Sequence, residues 1–266
     1  MRCEFIAIGT ELLLGQIVNS NAAWLGEQLA LAGIDCVYHV TIGDNRQRMH
    51  DTIQQALDRS DAVIVSGGLG PTQDDITREV IADVMKVGLI RDDEIAERIR
   101  HRFESRGRIM SENNLKQADI PDGGVAIPQM PGTAPGLICP VGEKIIYAVP
   151  GVPFEMKMMV NECVLPDLKQ RSGITSVIKS RVLKTWGQTE SGLDEMLTER
   201  MAYLDDKGGA TIAFQASGIE GLKVRLTVKK ESEEAAERAL AEEEKSVREI
   251  IGDYIFGTDD ETMESV

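Results

Sequence analysis

Short apolar runs without alternation punctuate the first 170 positions, and each leads into a stretch with helical spacing. Phe5-Ile6-Ala7-Ile8 predicts a buried strand ending at Gly9. Residues 21–32 carry Trp24, Leu25, Leu29 and Ala32 on one side and predict a helix stopped by Gly33. Residues 37–42 predict a second strand, and Met49, Ile53, Ala56 and Leu57 give the next helix its stripe. Ala62-Val63-Ile64-Val65 predicts a third strand that runs straight into a glycine-rich turn, with a helix expected over 74–87. Further helices are expected near 92–105 and 111–118, a strand over 145–149, and a helix from Pro153 to about Lys169. Unalternating strands that alternate with helices predict an α/β fold: an open, mostly parallel sheet with helices on both faces.

The pattern changes near Arg171-Ser172-Gly173. Beyond it, a strand over 177–184, a helix over 190–203, a hairpin from 211–214 and 222–229 joined by a glycine-rich loop, and a long acidic helix over 231–251 predict a smaller α+β domain. The expected division is 1–172, 173–257, and a linker or tail over 258–266. Tyr254-Ile255-Phe256-Gly257 reads as the approach to that linker, as at the edge of a longer protein.

Composition narrows the function. The 266 residues carry 29 basic and 44 acidic side chains, a net charge of −15. Residues 231–266 hold 13 of the acids and 3 of the bases, so most of the excess reads as one solvated helix face. The balance argues against nucleic acid, which needs Lys and Arg to replace phosphate counterions, and against an anionic membrane. No apolar stretch reaches a membrane span or a signal h-region, so a cytoplasmic protein is expected. Cys3, Cys36, Cys139 and Cys163 form no C-x-x-C pair and read as free thiols. His39, His50 and His101 are scattered, and no Ser-His-Asp or Cys-His arrangement suggests a covalent mechanism.

The chemical signal is Ser66 to Glu79, SGGLGPTQDDITRE, where a strand hands over to a helix. Ligands of open parallel sheets bind beyond the carboxyl ends of the strands. Gly67, Gly68 and Gly70 permit a tight turn and a close approach, and a following helix offers N–H groups to phosphate. The segment is neither a P-loop nor a dinucleotide fingerprint. Asp74 and Asp75 have two compatible explanations. Thr72 with Asp75 fits a capping box. Acids beside a phosphate seat also make sense when a divalent cation, Mg²⁺ or similar, lies between them and the ligand. Glu11 after the first strand, Asn19 and Asn21, Gly132-Thr133 and Pro150-Gly151 lie in other loops that are either punctuation or further walls of the same pocket.

IGTELLLGQIVNSNAAWL, SGGLGPTQDDIT, GTAPG and PGVP followed by Glu155 together resemble the CinA (competence/damage-inducible) family, in its order and spacing. The same fold resembles the molybdopterin-binding domain of molybdenum-cofactor biosynthesis proteins. The resemblance covers residues 1–170, and the remainder looks like the KH-like domain that follows in CinA proteins. It implies a metal-dependent pyrophosphatase acting on ADP-ribose-type nucleotides. By position Asp75 matches the aspartate of the shared loop, with Gly67, Gly68 and Gly70 as the phosphate cradle. The C-terminal nicotinamide-mononucleotide deamidase domain of many full-length relatives is not in this chain.

The sequence therefore predicts hydrolysis of a nucleotide diphosphate. Asp75, Asp74 and Glu11 are the catalytic candidates, with Asp74 and Asp75 on the metal. Gly67, Gly68, Gly70, Thr72, Asn19, Asn21, Gly132, Thr133, Pro150 and Gly151 are the substrate-binding candidates. A homodimer is expected, its small domain packing or dimerising rather than binding RNA. The alternatives are a module that binds pterin or nucleotide without cleavage, or the regulatory part of a longer deamidase protein.

Overall fold

The computed structural model describes residues 1–128, 131–173, 175–216, 221–259 and 261–263. In chain order the first part contains β1 (Arg2–Ile8), α1 (Thr10–Leu13), α2 (Ser20–Leu31), β2 (Asp35–Ile42), α3 (Arg46–Arg59), β3 (Ala62–Ser66) and α4 (Thr77–Met85). There follow β4 (Leu89–Arg91), α5 (Asp93–Glu104), a 3₁₀ turn (Glu112–Ala118), β5 (Asp119–Pro121), β6 (Val125–Ala126), β7 (Leu137–Val141), β8 (Lys144–Val149), α6 (Pro153–Met159) and α7 (Leu165–Ser172). A π-helical turn over Val160–Val164 joins the last two helices.

Two compact units divide the chain. One comprises Met1–Ala30 and Ile34–Gly173; the other comprises Leu31–Gly33 and Ile174–Val266. In the first, a six-stranded sheet has the order β2-β1-β3-β8-β7-β6. The pairs β1–β2, β1–β3 and β3–β8 are parallel, while β7 and β6 add antiparallel to the edge. The mostly parallel sheet expected from the unalternating runs is therefore present. The antiparallel edge is a hairpin turned at Gly142, whose φ is +59°, a value glycine adopts without strain.

Side-chain alternation along the strands feeds two layers. Ile6, Ile8, Val63, Val65, Ile146 and Ala148 pack with Met49, Ile53, Val80, Ile81, Ile95 and Ile99 of α3, α4 and α5. Full burial of each such side chain contributes about 1.5–3 kcal/mol. On the other side Tyr147 of β8 donates to Asp167 of α7 at 2.5 Å, and Lys157 of α6 lies 5.3 Å over the Trp24 ring of α2.

The order reverses between β1 and β3: β2 lies to one side, β8 to the other. A crevice opens beyond the strand ends at such a switch point. The sequence had the helix after β3 beginning near Asp74; it begins at Thr77, because residues 67–76 are used in the turn itself.

The second unit contains β9 (Val177–Thr185), α8 (Glu190–Lys207), β10 (Ala210–Ala216), β11 (Leu222–Lys230), α9 (Glu233–Ile251) and β12 (Ile255–Thr258). Its antiparallel sheet has the order β10-β11-β9-β12, and Leu183, Leu197, Leu226, Val228, Leu240 and Val247 are in its core. Most of the loop joining the hairpin, 217–220, lies outside the described residues.

Two expectations need correction here. The linker expected from Tyr254 onward, with 258–266 as tail, begins as a strand: Ile255 pairs with Thr185, Trp186 N–H donates to Tyr254 O at 2.9 Å, and Asp259 N–H donates to Val182 O at 2.8 Å. The acids of α9 are also not merely solvated. Glu244 binds Arg181 at 2.7 Å, Glu237 binds Lys179 at 2.9 Å, and Glu243, 4% exposed, takes a two-pronged bond from Arg200 at 2.9 and 2.5 Å. All four cysteines are free, with Cys3 and Cys139 buried. Among the described residues no helix is long and apolar enough to cross a membrane.

Candidate functional site

A cavity of about 440 Å³ opens at the carboxyl ends of β1, β3 and β8. Its wall is made by Ile8-Gly9 and Glu11 after β1, Gly67 to Pro71 with Asp74 and Asp75 after β3, and Pro150 to Val152 with Glu155 after β8. Asp44, Gln117, Thr133 and Ala134 complete it. Five carboxylates thus face one space, and no lysine, arginine or histidine lines it among the described residues.

The loop after β3 is shaped by glycine. Gly67 has φ +112° and Gly68 φ +65°, and a side chain at either would run into the Ile8 carbonyl or the Thr77 hydroxyl. The carbonyls of this arch are held from behind. Thr77 donates its hydroxyl to Gly67 O at 2.8 Å and its N–H to Gly68 O at 3.1 Å, and the Arg78 guanidinium donates to Leu69 O. The N–H groups of Gly68, Leu69 and Gly70 have no protein acceptor among the described residues. Successive free N–H groups at a positive-φ turn form an anion nest. The sequence expected both the Gly67–Thr72 amides and the N–H groups of the following helix in this role; the Thr77 N–H is spent on Gly68 O, and the arch presents its own amides.

The acids are seated on glycines. A side-chain carbon at Gly9 would lie 2.9 Å from the Glu11 carboxyl carbon, at Gly70 2.9 Å from that of Asp75, and at Gly132 2.5 Å from that of Glu155. Asp75 Oδ2 accepts from the Thr72 N–H at 2.8 Å and the Thr72 hydroxyl at 2.5 Å. This is half of the expected capping box without a helix: the bond ties down the turn, while α4 starts later and has no side-chain cap. The nearby Thr72 hydroxyl, followed by the residue's own backbone and Lys116, holds the Asp74 carboxyl below the usual range. Desolvation pushes Glu155 up, against an opposing pull from Arg102.

Glu11, Gly67, Gly68, Gly70, Asp74, Asp75, Thr133, Pro150 and Gly151 are thus brought together in the wall. Four sequence candidates are not in it. Thr72 is turned to Asp75, and Gly132 seats Glu155 while its carbonyl accepts from Arg102 at 2.8 Å. Asn19 caps α2 through the Ala22 N–H at 3.1 Å, and Asn21 donates to Gly151 O at 2.8 Å. Both asparagines line a smaller adjoining cleft of about 130 Å³ that shares Ile8, Glu11 and Gly151 with the main cavity. Sequence reasoning missed Asp44, whose carboxylate takes two 2.9 Å bonds from Thr10, and Gln117 on the 3₁₀ turn. Glu155 entered only as part of a motif; its place beside the Pro-Gly turn was the available signal.

Residues 4–170 match the family described as "Probable molybdopterin binding domain", and residues 180–257 match "Damage-inducible protein CinA KH domain". The chain belongs to the CinA family. Among curated relatives, a CinA-like protein of Frankia casuarinae is 43% identical over 271 residues and one of Nostoc punctiforme 42% over 267, each covering 100% of this chain. The chain spans only 62% and 63% of those relatives' lengths. Among solved structures, the protein CinA with unknown function from Thermoplasma acidophilum is 34% identical with a TM-score of 0.57, covering 65% of this chain and 98% of its own. The first unit of this CinA-family chain is accordingly a molybdopterin-binding-type domain, and the cavity lies within it.

Proposed function

We propose that the first unit hydrolyses the pyrophosphate bond of ADP-ribose or a related nucleotide diphosphate with the help of a divalent cation. One observation supports this above the others: five carboxylates share a cavity with an anion nest, and among the described residues no basic side chain lines it. An anionic ligand seated there alone would be repelled. A hard cation between ligand and wall resolves the conflict.

The donor set fits such a cation. It is all oxygen, from Glu11, Asp44, Asp74, Asp75 and Glu155. That matches an ion such as Mg²⁺, which keeps waters and is held by one or two carboxylates plus the substrate's phosphates. Asp74, kept ionised, and the remaining oxygen of Asp75 are the residues that would hold it, with Glu11 of the same wall as a further candidate. When bound, it would neutralise the diphosphate and polarise the phosphorus centre.

The chain's own groups supply the rest. The amides of Gly68, Leu69 and Gly70 bind one phosphate and fix its orientation. Glu155, with a carboxyl of raised proton affinity, is the best-matched acceptor for the proton of an attacking water. Water adds to phosphorus, the bridging P–O bond breaks, and AMP and ribose 5-phosphate leave as anions.

Release of AMP from ADP-ribose by the 266-residue chain, with Mg²⁺ and with EDTA, tests the reading. Metal-dependent AMP release is expected. Thermal stabilisation by ADP-ribose without product would instead favour the binding module.

A further inference from the structure

Arg78 is 0% exposed and yet charged, lodged on α4 beneath the turn it supports. One guanidinium nitrogen donates to Leu69 O, while Nε and Nη1 have no hydrogen-bond partner among the described residues. Burying a guanidinium with two unpaired nitrogens is costly, and replacement by an apolar side chain would be the cheaper way to fill the space. Nearby Gln117, 1% exposed, reaches the same Leu69 carbonyl at 3.4 Å. Lys116 donates to Thr72 O and, at 2.9 Å, to Asp75 O. Two cations from two different elements therefore grip the carbonyls of one turn. Neither side chain lines the cavity.

A peptide plane carries its N–H opposite its C=O. Fixing a carbonyl toward the interior turns the next residue's N–H the other way. We propose that Arg78 and Lys116 are positioning residues that act through the 67–76 turn: Arg78, by anchoring Leu69 O, fixes the peptide that carries the free Gly70 N–H, Lys116 braces the far limb of the turn at Thr72 O and Asp75 O, and both place positive charge behind the bound phosphate without touching it. The inference rests on the phosphate-binding reading above. It also explains how the wall can hold five acids and, among the described residues, no base: the positive charge that favours an anion lies one layer down, and the carboxylates are left for the cation.

Titration of inorganic pyrophosphate with Mg²⁺ into the full chain, together with steady-state ADP-ribose hydrolysis, tests it. Arg78→Met should weaken pyrophosphate by about tenfold or more, the order expected for a charge-assisted bond, and should raise KM for ADP-ribose more than it lowers kcat. Arg78→Lys, which keeps the charge, should recover part of the loss. Lys116→Met, at a partly exposed position on the 3₁₀ turn, should weaken pyrophosphate by roughly threefold to tenfold with circular dichroism unchanged, and it decides the matter if Arg78→Met does not fold. Wild-type affinity and KM in folded Arg78→Met, or in Lys116→Met should Arg78→Met not fold, would overturn the positioning role while leaving the parent reading intact. A wild-type chain that neither binds pyrophosphate nor cleaves ADP-ribose would overturn both.

Discussion

The carboxylate of Asp75 occupies the space a side chain at Gly70 would need: a methyl group there would sit 2.9 Å from the Asp75 carboxyl carbon. Gly70→Ala must therefore push Asp75 aside, although its backbone conformation itself tolerates alanine. ADP-ribose turnover should fall by about tenfold or more, as small misplacements of site groups do. Gly88, where a methyl meets nothing within 4 Å, is the matched control, and Gly88→Ala should keep wild-type rates.

Asp75→Asn separates charge from anchoring. The amide oxygen can still accept from Thr72, so the turn should persist and the melting temperature should move little. The charge available to a cation is lost. Turnover should be abolished, and raised Mg²⁺ should not restore it; full activity would refute the assignment of Asp75.

Glu155 sets a pH dependence. Burial raises its folded-state pKa, so the folded chain binds this proton more tightly than the unfolded chain. The favourable contribution is fully present below the unfolded pKa and is lost as pH rises through the raised folded value. Glu155→Gln should therefore stabilise the protein near neutral pH and show no gain near pH 4. The same change should remove the acidic limb of the kcat/KM profile together with most of the activity. Thermal melts across pH and initial rates measure the two effects.

In the second unit, Arg200 neutralises the buried Glu243. Arg200→Met leaves that carboxylate uncompensated and should cost about 3–5 kcal/mol in urea unfolding of this unit. Adding Glu243→Leu should recover most of the loss, because two packed apolar groups need no partner.

The parallel strands were legible because burial on both faces leaves no polar position in Phe5–Ile8 or Ala62–Val65. Gly67 and Gly68 were legible for a similar reason, since few other residues adopt their backbone. Asp74, Asp75 and Glu11 could be read because they follow strand ends directly. Asp44 could not: its position beside Thr10 depends on β1 and β2 lying in register. Gln117 and Lys116 reach the turn across more than 40 residues, on a short 3₁₀ segment without apolar periodicity. Arg78 looked like an ordinary charged helix position; only the observed burial distinguishes it. The two asparagines matched the motif yet serve helix and loop geometry first, because short amides bond the nearest backbone. The antiparallel edge was missed because Pro140 breaks the look of a strand in β7, a residue tolerated where the ladder is short.

β12 has a practical bearing on how this polypeptide can be handled. Shortened to Tyr254, it would strip β9 of its neighbour from Leu183 to Thr185 and bare a ladder of amides and carbonyls flanked by Trp186. Such a rim invites strands from other molecules, so the trimmed protein would clump where the longer one stays dispersed.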